Sequence, residues 1–211
     1  MAELQTDEEK VEAIKKWWRE NGTSVIAGVV IGLGAVFGWR AWVDYRDNVG
    51  QRASLAYEQL LAATSAGAAE SAEKQAEALI DSYGNTPYAM LAELALARVR
   101  VEQEDLAGAE AALRSALEKA PDPALAKVAA FRLARVLIAA GDLDGAATVI
   151  DQHDDGGAFS ADFAGLRGDI AAAREDWPAA RAAYRQAIDG GAALARIMEL
   201  KLQDLPGGDA S

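Results

Sequence analysis

The residues suited to chemistry are few. Asp154-Asp155 and Glu8-Glu9 are adjacent carboxylates, a pairing that does acid–base work when one member is kept protonated. Neither pair has an aromatic or apolar cluster beside it to shift a pKa, so both are expected to be solvated acids. The single histidine, His153, precedes them and is expected on the surface at a helix end. One His and no Cys exclude thiolate metal sites, disulfides, Cys nucleophiles and centres built on several histidines. Neither the phosphate-binding G-x-x-x-x-G-K-[ST] nor the nucleophile motif G-x-S-x-G occurs. Arg167-Gly168-Asp169 spells an adhesion tripeptide, but it is expected inside a helix, with Gly168 in a packing role. No catalytic site, metal or cofactor is expected, and a non-enzymatic role is favoured.

Two arginines carry the chemistry that remains. Arg98 and Arg135 lie at equivalent places in successive repeats, and a guanidinium there can hold a carboxylate or the backbone carbonyls of an extended partner. The alternative is that they pair with nearby acids such as Asp169 and only hold repeats together. The chain's net charge is −12. That argues against nucleic acid as a partner, since phosphate binding needs clustered Lys and Arg. The acids are spread along the chain and act as a solubility term.

The elements that would position these arginines are helices. Ala and Leu are abundant and β-branched runs are few beyond the amino-terminal region. LAYEQLLAA (Leu55 to Ala63) and AEKQAEALIDSY (Ala72 to Tyr83) have helical apolar spacing. Thr86 and Asp122 precede Pro87 and Pro123 as N-cap candidates, and Ser160 is a third. Three segments then align, beginning at Leu106, Leu143 and Trp177, each preceded by an Asp (Asp105, Asp142, Asp176). Their offsets are 37 and 34 residues, and Ala109, Ala146 and Ala180 coincide, as do Ala97, Ala134 and Gly168. Small residues on both helices of a pair let their axes approach closely. Leu113, Ile150 and Tyr184 are expected to fill the space between neighbouring pairs.

A helix–turn–helix period near 34 residues with this pattern is the tetratricopeptide signature. Pro121 fits its terminal proline, while Ala158 and Ala192 replace that proline later and the early aromatic is missing. Leu55 to Tyr83 is expected to add a divergent pair, and Ala193 to Leu205 a closing helix. In such a solenoid the first helices line the inner face. The register places Leu94, Arg98 and Val101 there, then Phe131, Arg135 and Ile138, then Asp162 and Asp169. An apolar groove with two arginines and an acidic end is expected.

The stretch KKWWRENGTSVIAGVVIGLGAVFGWRAWVDYR (Lys15 to Arg46) is of another kind. No charge occurs from Thr23 to Trp39. Trp18 to Trp39 spans about 31 Å at helical rise, close to the ~30 Å hydrocarbon core of a bilayer. Trp17 and Trp18 on one side, and Trp39, Trp42 and Tyr45 on the other, make two interface belts. Arg40 lies near the end, where its head can reach the headgroups. A core helix would leave these belts unexplained, and Trp39-Arg40-Ala41-Trp42 offers no small-residue cleavage site. The reading is an uncleaved signal anchor in the lipid bilayer. Lys10, Lys15, Lys16 and Arg19 before it, against Arg40, Arg46 and Arg52 after it, favour a cytoplasmic amino terminus. Gly28, Gly32, Gly34 and Gly38 form two small-xxx-small pairs, either a helix-packing face or ordinary glycine content.

The fold class expected is therefore all-α: a single transmembrane helix, then a tetratricopeptide-repeat-like α-solenoid of antiparallel helix pairs. The expected organisation is a cytoplasmic tail over 1–22, the anchor over 23–43, an exported repeat domain over 44–205 and a disordered tail over 206–211.

With these features the chain resembles the YfgM-like family, ancillary subunits of the SecYEG translocon. The likeness rests on the KKWW–anchor–W run, LAYEQLLAA, NTPYAMLAELALARV, FRLARVLIAAGDLDGA and LRGDIAAAREDWPAARAAYRQAI, which cover most of residues 10 to 190. QHDDGGAFSADFA between the last two is expected to be variable linker. The resemblance implies a bacterial inner-membrane protein with a periplasmic domain. It also implies association with SecYEG and with a membrane-anchored chaperone of the PpiD type, and contact with exported client chains. The competing reading is a scaffold for envelope assembly or cell division with no translocon role.

Overall fold

A computed structural model of the protein describes residues 7–207. Parts of both expected tails, residues 1–6 and 208–211, lie outside the described residues, as does the Glu8 side chain. The chain divides into two compact units, Met1–Gln51 and Arg52–Ser211.

In the first unit the backbone is that of α1(Asp7–Ser65). No proline occurs in this range, and isolated glycines cost a helix only about 1 kcal/mol each. The expected boundaries at 23 and 44 therefore carry no backbone break. The helix is long and apolar enough to cross a membrane. Within the first unit its large apolar side chains, including Ile31, Phe37 and Trp39, are exposed and not packed in a core.

The second unit holds the end of α1, then α2(Ala69–Tyr83), α3(Pro87–Glu102), α4(Leu106–Glu118), α5(Pro123–Ala140), α6(Leu143–His153), α7(Ser160–Ala173), α8(Trp177–Asp189) and α9(Ala195–Asp204). Every element among the described residues is helical. The aligned pairs are α3 with α4, α5 with α6 and α7 with α8. At each pair's centre the expected small residues are buried: Ala97 with Ala109, Ala134 with Ala146, and Gly168 with Ala180. Gly168 is required by close approach, since a Cβ there would lie 2.4 Å from the Tyr184 ring. Leu113 and Ile150 are fully buried. Tyr184 packs on Gly168 of its own pair, and Lys201 of α9 lies over its ring at 6.0 Å.

One turn recurs in all three pairs. Glu104, Gly141 and Glu175 have φ of 64°, 83° and 59°. The following amide reaches back to close the first helix: Asp105 to the Arg100 carbonyl, Asp142 to Leu137 and Asp176 to Ala171. The aspartates then cap the second helix, their carboxylates accepting from the N–H of Gly108, Gly145 and Ala179. Asp122 caps α5 as expected, accepting from Ala124 and Leu125. The other two cap candidates act differently. Thr86 donates its hydroxyl back to the Tyr83 carbonyl. Ser160 is the first residue of α7, preceded by Phe159 at the N-cap position.

Candidate functional site

An open recess of about 470 Å³ lies among α3, α4 and α5. Leu94, Leu113 and Val136 form its buried floor, while Val101 is 42% exposed. The cations are on its edge: Arg98 from α3, and Arg132 and Arg135 from α5. The expected groove residues thus separate into three groups. Leu94, Arg98, Val101 and Arg135 share this recess. Phe131 and Ile138 are half-buried against the core, with Phe131 edge-on to Phe163 at 6.1 Å between ring centroids. Asp162 and Asp169 are bonded to the closing segment, as described below.

Helix geometry explains the first division. At 100° per residue, Phe131 and Ile138 lie about 40–60° to one side of Arg135, and Arg132 and Ala139 about as far to the other. The first side meets α7 through Phe163; the second borders the recess. Arg132 was not among the expected groove residues. Its spacing of three from Arg135 was the available signal.

The arginines differ in their partners. Arg98 donates to Glu102 at 2.9 Å, an exposed pair within one helix, which contributes only about 0.3–0.5 kcal/mol. Among the described residues, no hydrogen bond or ion pair engages Arg132 or Arg135. The expected alternative acceptor, Asp169, is occupied elsewhere. Glu93, on α3, is buried and receives Ser115 Oγ at 2.6 Å and Lys119 Nζ at 2.8 Å from α4. Its charge is thus compensated inside the pair, as burial demands.

In the third repeat the acidic positions serve the closing helix. Asp169 accepts from Tyr184 Oη at 2.8 Å and from Lys201 Nζ of α9 at 2.6 Å. Asp162 accepts from the Ala193 N–H at 2.8 Å, just before α9. Met198 of α9 covers Gly165 of α7. Burial, and then the bond to Asp169, push the Tyr184 phenol well above its ordinary range.

The segment expected to be linker also makes contacts. Arg167 of α7 donates to Asp154 at 2.6 Å and to Asp151 at 3.1 Å, and Lys127 of α5 to Asp155 at 2.7 Å. Burial opposes the Asp154 carboxylate, but bonds from Arg167, the Gly156 N–H and Ser160 outweigh it and hold its pKa below the usual range. The bond from Lys127, then that from the Gly157 N–H, lowers Asp155 likewise. Asp154 is thus shielded from solvent and bonded, while Asp155 is exposed, as expected of a loop acid, but paired with Lys127. Arg167 and Asp169 of the adhesion-like tripeptide are both engaged in such bonds.

In the first unit, Trp17, Trp18, Trp39, Trp42 and Tyr45 are all exposed. Trp39 and Trp42 form a tilted pair, and the Arg46 guanidinium lies 5.0 Å from the Trp42 ring centroid. A Cβ at Gly28, Gly32, Gly34 or Gly38 would meet open space, so no packing within the chain requires these glycines.

Among the described residues, no group of three or more His, Cys, Asp or Glu is placed to hold a metal ion. The arrangement offers a binding surface with an apolar floor and a cationic edge.

Residues 15–207 match a family model described as a tetratricopeptide repeat-like domain. Three curated relatives bear the name ancillary SecYEG translocon subunit. The protein of Haemophilus influenzae is 34% identical over 94% of this chain and 97% of its own length. That of Escherichia coli is 34% identical over 95% and 97%. That of Aggregatibacter actinomycetemcomitans is 35% identical over 97% and 100%.

Proposed function

Because the chain belongs to the family of ancillary SecYEG translocon subunits and carries their tetratricopeptide repeat-like domain, we propose that it is a membrane-held interaction scaffold working beside the protein-export channel. In this reading residues 23–43 are the bilayer anchor, residues 1–22 face the cytoplasm, and residues 44–205 act in the periplasm. The cation balance around the apolar run supports that orientation. The SecYEG translocon is the membrane partner, by kinship with the named relatives. A PpiD-like membrane-anchored chaperone and emerging client chains are the periplasmic partners. Anchoring raises the local concentration of the scaffold at the channel without any new contact.

The observation that carries this reading is the open recess of α3, α4 and α5, whose arginines on α5 have no partner among the described residues. A surface so built suits binding better than catalysis. The test is photo-crosslinking in native membranes from a residue introduced at Val101, followed by mass spectrometry. Adducts with a translocon subunit or an anchored chaperone are expected. Recovery of neither would sink the reading.

A further inference from the structure

The recess has a chemistry that selects its occupant, and this inference rests on the scaffold reading above. The protein as a whole carries a charge of −12. The recess inverts that sign: Arg98, Arg132 and Arg135 line it with Glu102 as the one acid. Glu102 is already paired with Arg98, which leaves two guanidinium groups on α5 without a partner among the described residues. They lie three residues apart, on one side of the helix, above the floor made by Leu94 and Val136. Elsewhere on the repeats most arginines are used internally, exposed Arg185 of α8 being an exception among the described residues. Arg100 binds Glu73, Arg114 binds Glu110, Arg167 binds Asp154, and Arg174 binds Asp144.

We propose that the recess of α3, α4 and α5 docks an acidic partner segment that seats a bulky apolar side chain on the floor and presents carboxylates to Arg132 and Arg135. The apolar side chain supplies most of the affinity, since its burial removes the exposed surface of Val101 from water. The carboxylates supply selection, because a planar guanidinium matches a carboxylate with two parallel hydrogen bonds. A basic segment would meet two unpaired cations and be repelled. The same arrangement disfavours a second copy of this acidic chain docking through most of its own surface.

The test uses the full-length protein in detergent and three short fluorescent peptides. Each carries a Leu-Phe pair, flanked by glutamates, by glutamines or by lysines. The glutamate peptide should bind about tenfold more tightly than its glutamine twin at low salt, the scale of two exposed charge pairs. The lysine peptide should bind weakest, and salt should narrow the differences. Arg132→Ala with Arg135→Ala should erase the preference while leaving the circular dichroism spectrum and melting temperature unchanged. Arg132→Glu with Arg135→Glu should transfer the preference to the lysine peptide. Equal binding of the three peptides, binding of none, or a preference that survives the double variant would each overturn the assignment. Crosslinking from Val101 in membranes separates the two levels. Partner adducts that persist in the charge-reversed variant would remove the acidic-segment assignment and leave the scaffold standing. Loss of those adducts on charge reversal is the expected result.

Discussion

The first and third repeats use one register for opposite ends. At Leu94, Arg98 and Val101 the first repeat faces a recess that is open. In the third repeat Asp169 is bonded to Lys201 of α9, and Asp162 to the Ala193 N–H just before that helix. A repeat array must end somewhere, and its last apolar edge must be covered. Here the cover is fastened by carboxylates, whereas the recess of α3, α4 and α5 is edged by cations. Position in a repeat pattern does not by itself assign a binding role.

Several substitutions would break or sharpen that contrast. Gly168→Leu should have the largest effect, because the new side chain enters the space of the Tyr184 ring. Urea unfolding should show a loss of about 3 kcal/mol; a loss below about 1 kcal/mol would mean that the pair can separate at little cost. Asp169→Ala should cost about 1–3 kcal/mol by leaving Tyr184 Oη without its acceptor and Lys201 without its partner. Hydrogen exchange in α9 should quicken. At the open end, Arg135→Ala should stay within about 0.5 kcal/mol of the parent. If the two changes cost the same, the division into closed and open ends fails.

The junction between α6 and α7 is a pH-sensitive middle case. The Asp154 carboxyl is depressed in the folded protein, so the unfolded chain takes up its proton first as pH falls. Its stabilisation is present above the unfolded value of about 3.9 and disappears as pH falls through the folded value. Asp154→Asn should flatten the melting temperature profile in that acid window, and an unchanged profile would remove Asp154 from the account. Tyr184 has the opposite sign, its folded pKa being raised. Its contribution is present below the phenol's ordinary value and is lost as pH rises toward the folded one. The smallest effect belongs to the turns. Glu104→Gly and Glu175→Gly relieve a side chain at positive φ. Each should stabilise by about 0.5 kcal/mol, read as a small rise in melting temperature.

Much of this was legible in the chain. The small residues from Ala97 to Ala180 had to be buried in pairs, because only their size is common to the three repeats. Four of the expected groove residues share the recess for the same reason: a repeat register fixes which helix they occupy and roughly which side. Phe131 and Ile138 fell on the other side of Arg135 because a difference of about 100° across one helix decides between core and recess. Asp154 and Asp155 read as loop acids, since nothing near them in sequence announces Arg167 and Lys127, which lie 13 and 28 residues away from them respectively.

By itself the sequence determined the helical class, the apolar run with its tryptophan belts, the repeat offsets and the small-residue pairs. These follow from periodicity and size, properties of residues near one another along the chain. Only the tertiary structure decided which charges are spent and which are open. Asp169 is bonded to Lys201, whereas Arg132 and Arg135 edge the recess without a partner among the described residues. That distinction depends on what the packing of separate helices brings within hydrogen-bond reach, over distances of about 3 Å that no local pattern encodes.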